Sequence, residues 1–204
     1  MAGLYKMPDG SNPTGQCGVV LRSRDEGATW DDSVEFFRMP GSTVTAWEPR
    51  ICEMQPGRLV AIVWAFDVGA QRHLPNQVVV SHDDGYHWTK PIDTGQYGQS
   101  SSLLWAGDER LVTIHAHRGE DVGLYVRVID FSDDRWRTIE EKAIWGREMG
   151  RQTRPGQDMV SMFQSVRFGQ PSLVKLENDE FLAVHWSIEE GQGRIRGHRL
   201  RIRA

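Results

Sequence analysis

Apolar and polar positions alternate in short runs along most of this chain, and clusters of Gly, Pro, Asp, Asn and Ser separate the runs. Alternation with a period of two marks a strand with one buried face, and the breakers mark turns. On this basis residues 4–7 form a short strand, 8–16 a breaker-rich loop, and strands are predicted at 17–22 and 34–38. Another strand runs from 47 to 54, turns through Gln55-Pro56-Gly57 and continues over 58–66. That second run is almost wholly apolar, which suits a strand covered on both faces. After a loop at 67–75 comes a strand at 76–81. The plan then recurs at 98–105, turns at Gly107-Asp108-Glu109, and gives strands at 110–117, 123–131 and about 137–144. The last strands are 168–176, 181–187 and 194–202. Between 146 and 166 the alternation lapses. Arg147, Arg151 and Arg154 surround Pro155-Gly156 there, and Met159, Met162 and Phe163 predict one helical turn near 158–165.

Two octapeptides punctuate this pattern, Ser23-Arg24-Asp25-Glu26-Gly27-Ala28-Thr29-Trp30 and Ser81-His82-Asp83-Asp84-Gly85-Tyr86-His87-Trp88. Both read S-x-D-x-G-x-x-W. Ser and Asp side chains bond the amides of a tight turn, Gly accepts a left-handed φ, and Trp caps the hairpin. Ser132-Asp133-Asp134-Arg135-Trp136 is a shortened, degenerate copy. The spacing from Trp47 to Tyr97 and from Ser81 to Ser132 is about 50 residues, the size of a four-stranded propeller blade.

Composition narrows the picture. The 204 residues hold 39% hydrophobic and 25% charged side chains, 21 Gly and 8 Trp, as expected of a turn-rich all-β protein. A net charge of −4 argues against nucleic acid as a partner. No apolar run approaches the roughly 20 residues of a membrane span, and residues 1–15 lack the pattern of a signal peptide. A soluble chain, cytoplasmic as given, is expected. Cys17 and Cys52 are expected to be free, partly buried thiols.

The octapeptide resembles the Asp box of sialidase (neuraminidase)-like, BNR-repeat β-propellers. The resemblance implies an all-β propeller with blades of four antiparallel strands. The family has six blades, and about three and a half fit here: a partial blade at 1–46, blades at 47–96 and 97–145, a connecting loop at 146–166 and a last blade at 167–204. Missing N-terminal blades, in a fragment or a truncated chain, would account for the shortfall. The alternative is a four-bladed ring completed by the N-terminal segment.

In a propeller the first strand of each blade starts near the axis on one face. That face would gather Trp47, Glu48 and Arg50, then Tyr97, Gln99 and Ser100, then Phe168 and Gln170. Loops holding Asp67, Arg118 to Asp121 and Glu189-Glu190 would join them, with 146–166 overhanging as a lid. The family holds a sugar carboxylate with three arginines, attacks with a tyrosine activated by a glutamate, and protonates the leaving group with an aspartate. By resemblance Glu48 is the activating glutamate and Arg118 one of the arginines. Phe66-Asp67 stands where another arginine is expected. Gln170 stands where the tyrosine belongs, and an amide is no nucleophile. The remaining arginine and the aspartate belong to early blades that the chain lacks.

These residues make Glu48 the catalytic candidate. Arg50, Arg118, Trp47, Gln99, Gln170 and His117 are the candidates for substrate contact. Arg50 has a second reading as an ion-pair partner of Glu48. His115 and His117 share a strand face, and His185 repeats the position of His115; core hydrogen bonding is expected of them ahead of a metal. No cofactor is implied. The implied function is glycoside hydrolysis of the exo-α-sialidase type on a terminal sugar, with part of the site missing from this chain. The alternatives are a non-catalytic glycan-binding propeller and a protein-interaction scaffold.

Overall fold

The computed structural model of the chain describes residues 17–39, 43–154, 156–177 and 179–202, apart from the side chains of Asp32 and Met159. The strand expected at 4–7, the loop at 8–16 and any closure of the ring by the N-terminal segment lie outside the described residues. Among the described residues there are fourteen strands and one α-helix. Strands β1 (Gly18–Arg22) and β2 (Asp31–Phe37) make a two-stranded sheet. β3 (Val44–Gln55), β4 (Arg58–Asp67), β6 (Gln77–Ser81) and β7 (Ile92–Asp93) follow one another across the second sheet, and the two-residue β5 (Arg72–His73) pairs with the end of β4. β8 (Ser101–Gly107), β9 (Arg110–His117), β10 (Gly123–Asp130) and β11 (Arg137–Trp145) form the third sheet. After helix α1 (Met159–Ser165), β12 (Phe168–Lys175), β13 (Glu180–Glu189) and β14 (Gln192–Arg201) form the fourth.

Consecutive strands within each sheet pair antiparallel. Between sheets, β3 packs on β8 and β8 on β12, so the first strands of three successive sheets meet in chain order. This is the relationship of inner strands around a propeller axis.

Burial explains the apolar run of β4. Val60 and Ile62 face a core shared with Val78, Val80, Leu103, Leu111 and Phe131 of this sheet and the next. Ala61 and Val63 face the other way, onto Phe36 and Phe37 from β2. A central strand sandwiched between neighbouring sheets has no polar face to show. Polar ties reinforce the stacking. Arg58 reaches Glu109 at 2.7 Å and Asp134 at 2.9 Å in the next sheet. Asn76 donates to the Ser101 hydroxyl at 3.1 Å and accepts from the Gly98 amide at 2.6 Å.

Both octapeptides form the turns that their residues demand. The Gly85 amide donates to Ser81 Oγ at 2.8 Å, the His87 amide to Asp83 Oδ1 at 2.8 Å, and Trp88 Nε1 to the Gly85 carbonyl at 3.0 Å. In the first copy the matching bonds are 2.7 Å from Gly27 to Ser23, 2.9 Å from Thr29 to Asp25 and 3.1 Å from Trp30 to Gly27. Gly27 and Gly85 have φ of 92° and 81°, which a side chain would resist. The degenerate copy is built differently. Ser132 donates from its amide and its hydroxyl to Asp130, and Ser132–Asp134 forms a 3-10 turn.

Candidate functional site

Two inner strands carry the same irregularity. Pairing of β3 with β4 shifts register between Trp47 and Arg50, and that of β12 with β13 between Gly169 and Ser172. At each shift a polar residue precedes proline and takes a left-handed φ, 47° at Glu48 and 45° at Gln170. Such φ values are strained for side-chain-bearing residues and are found where a bulge re-aims a side chain. The Gln170 amide donates to Ser100 Oγ at 3.1 Å. Hydrogen bonding from the Gln170 and Ser100 side chains also bears on the Glu48 carboxyl. Glu48, Ser100 and Gln170, one from each of three successive blades, therefore meet.

The Glu48 carboxyl is held above its ordinary pKa. Burial is the main cause, opposed by the charges of Arg118 and then Arg50 and by the hydrogen bonds of Gln170 and Ser100. Its Oε2 is buried with no hydrogen-bond partner. No ion pair joins it to Arg50, whose Nη1 donates to the Pro49 carbonyl at 3.0 Å. The bulge explains this, because it breaks the simple alternation that would have set the two side chains together.

Arg118 is 5% exposed. Its Nε donates to the Phe168 carbonyl at 2.8 Å, its Nη1 to Gln99 Oε1 at 3.3 Å, and the guanidinium stands 5.6 Å from the centre of the Phe168 ring. Burial pulls its pKa down to about 10 against the opposing charge of Glu48. Arg118 is thus a brace between the third and fourth blades, and its field reaches Glu48. Gln99 is buried beside it, donating to Thr153 Oγ1 at 3.3 Å and lying 3.3 Å from His73 Nε2. Burial first, then the charges of Arg118 and His117, bring the pKa of His73 down to about 4, so its imidazole is neutral near pH 7.

The long connection covers this cluster. The amides of Gln152 and Thr153 both donate to the Arg118 carbonyl at 2.9 Å, and Met162 of α1 packs among Trp47, Trp64, Phe66 and Val68. Asp158 caps α1 by accepting from the Ser161 amide at 3.0 Å. Trp47 is 8% exposed, stacked on Phe66 at 4.7 Å and edge-on to Trp64 at 4.9 Å. It is a core side chain here, with no open face for a sugar.

His117 faces a cavity that Glu48 does not line. Its Nδ1 bonds the Asp121 carbonyl oxygen at 2.8 Å, and with Tyr97, His115 and Tyr125 it lines a separate cavity of about 320 Å³. His115 and His117 do share a face, both beside Tyr125. His185 stacks on His198 at 5.3 Å instead. Among the described residues no group of three His, Cys, Asp or Glu side chains is arranged to hold a metal. Cys17 and Cys52 are free. Asp67 ends β4 and is bonded by the Gly69 and Ala70 amides, while Glu189 accepts from Ser187 and Arg196. Two residues of this region escaped the sequence reading, His73 and Arg72. Both stand on β5, a strand too short to leave a periodic signal.

No family model and no curated protein matches the sequence. Solved structures do match. A protein of unknown function from Dyadobacter fermentans superposes with a TM-score of 0.65 at 21% identity, over 92% of this chain and 46% of that one. The NanB sialidase from Streptococcus pneumoniae gives 0.60 at 16% identity, over 94% of this chain and 28% of that one. An α-L-arabinanase from Penicillium chrysogenum gives 0.55 at 16% identity, over 96% and 64%. The fold is therefore an all-β propeller of the kind shared by sialidases and arabinanases. The chain spans under half the length of the first two of these proteins.

Proposed function

We propose that this chain belongs to a sialidase-like glycoside hydrolase, of the exo-α-sialidase type, acting on a terminal sugar that is acidic in that family. Glu48 is its proton-transfer group. The observation that carries this reading is the Glu48 carboxyl, raised in pKa, with a buried and unpartnered oxygen, where three blades meet. A carboxyl tuned upward by burial holds its proton more readily than an exposed one and suits proton transfer. A substrate hydroxyl or a water molecule would supply the partner that Oε2 lacks, and the Gln170 and Ser100 side chains offer hydrogen bonds beside it. A glycan ligand also fits the neighbours described as a sialidase and an arabinanase. The activity of a whole protein would draw on residues beyond this chain.

A second reading, a propeller that binds glycans without cleaving them, is favoured by Gln170, whose amide cannot attack an anomeric carbon. The test is turnover of fluorogenic sialosides and arabinosides by the protein and its Glu48→Gln variant. The first reading expects hydrolysis that falls by about 10²-fold or more in the variant. No turnover together with glycan affinity in calorimetry supports the second, and neither signal contradicts both.

A further inference from the structure

Beside the Glu48 cluster, but lined by none of Glu48, Ser100 and Gln170, is a cavity of about 250 Å³ between β5 and the 146–166 connection. Three arginines line it, Arg72 from β5 and Arg151 and Arg154 from the connection, together with His73, Thr153 and Gly119. Only one of the three has an ion pair. Arg151 Nη1 stands 3.6 Å from Glu120, which is 82% exposed, and its Nε donates to the Thr153 carbonyl at 3.0 Å. Among the described residues, the side chains of Arg72 and Arg154 make no hydrogen bond or ion pair. Asp67 feels the charge of Arg72 but forms no ion pair with it, and its Oδ1 accepts from the Gly69 and Ala70 amides and the Thr43 hydroxyl. His73 adds no charge of its own.

Guanidinium groups drawn around one small cavity repel each other unless an anion sits between them. In a chain of net charge −4 the concentration of three on two short segments is a local inversion of sign. The volume is below the usual range for whole drug-sized ligands, so it suits a compact charged group. Three planar forks offer more N–H donors than the two oxygens of a carboxylate can accept. A phosphate monoester has three terminal oxygens and up to two negative charges. We infer that the Arg72, Arg151 and Arg154 cavity binds a phosphoryl group, carried as a monoester on a sugar or presented as free phosphate. This goes beyond the proposed hydrolysis and does not depend on it.

Calorimetry at low salt tests it with inorganic phosphate, glucose 6-phosphate, glucose and glucuronate as probes. The proteins are the full chain and its Arg72→Gln, Arg154→Gln and Glu48→Gln variants. Arg72 and Arg154 are exposed, so unchanged thermal midpoints are expected for their variants. Binding of phosphate or glucose 6-phosphate should weaken about tenfold in each arginine variant, the loss of one charge-assisted contact, and stay unchanged in Glu48→Gln. Glucose 6-phosphate binding more tightly than phosphate identifies a sugar ester as the source. Equal or tighter phosphate binding identifies the free anion. The inference is overturned if neither phosphate probe binds below about 10 mM. It is overturned equally if the arginine variants bind like the parent, or if glucuronate binds as tightly as glucose 6-phosphate.

Discussion

The guanidinium of Arg118 lies so close across Gly169 that a Cβ added there would stand 1.9 Å from Nη2. A loop of the third blade is thereby keyed to the first strand of the fourth, and the keyhole is the hydrogen atom that glycine carries in place of a side chain. Gly169→Ala should cost about 1–3 kcal/mol, the usual range for forcing extra atoms into a packed interior. Chemical denaturation measures it. The loss should be strongly non-additive with Arg118→Met, because each change disrupts the same contact.

Trp47 separates packing from recognition. Because it is wedged between Phe66 and Trp64, Trp47→Ala should destabilise the protein by about 3–5 kcal/mol. Thermal unfolding reads this directly. A variant of unchanged stability that loses only glycan affinity would show the indole to be a sugar platform.

The two octapeptide turns should respond unequally to the same substitution. Ser81 is buried and accepts the Gly85 amide, whereas Ser23 makes the matching bond at the surface. Ser81→Ala strands a buried donor at about 1–3 kcal/mol, while water replaces the lost oxygen in Ser23→Ala, for under about 1 kcal/mol. Urea midpoints of the two variants give the comparison.

His73 sets an acid limb of stability. Its folded pKa, about 4, is depressed below the ordinary histidine value of about 6.5, so the unfolded chain takes up a proton first as pH falls. The stability that it contributes is present above about pH 6.5 and is lost as pH falls toward 4, by about 3 kcal/mol as an upper figure. His73→Gln should flatten the stability profile over that window by about one proton. An unchanged slope would mean that the imidazole is exposed.

Strand order, both complete octapeptide turns and the short helix over the connection were legible because each rests on local chemistry. Alternation marks β9 and β10, serine and aspartate mark the turns, and Met159, Met162 and Phe163 mark α1. The site was legible only in outline. Glu48, Gln99, Arg118 and Gln170 do gather on one side, as the blade repeat suggests. What each one touches is decided by two bulges that no periodicity reveals. Trp47, expected on the same face by the blade geometry, packs on Trp64 and Phe66 across the strand pair, at a register that the sequence does not print. His117, expected on the same face, lines a cavity with Tyr97 and Tyr125 that Glu48 does not line.

The central claim is that burial among three blades raises the Glu48 carboxyl, and a ¹³C-detected titration of its side chain tests that most directly. The account predicts a midpoint above the ordinary glutamate value of about 4.3. A midpoint at or below that value, in the folded protein, would contradict it.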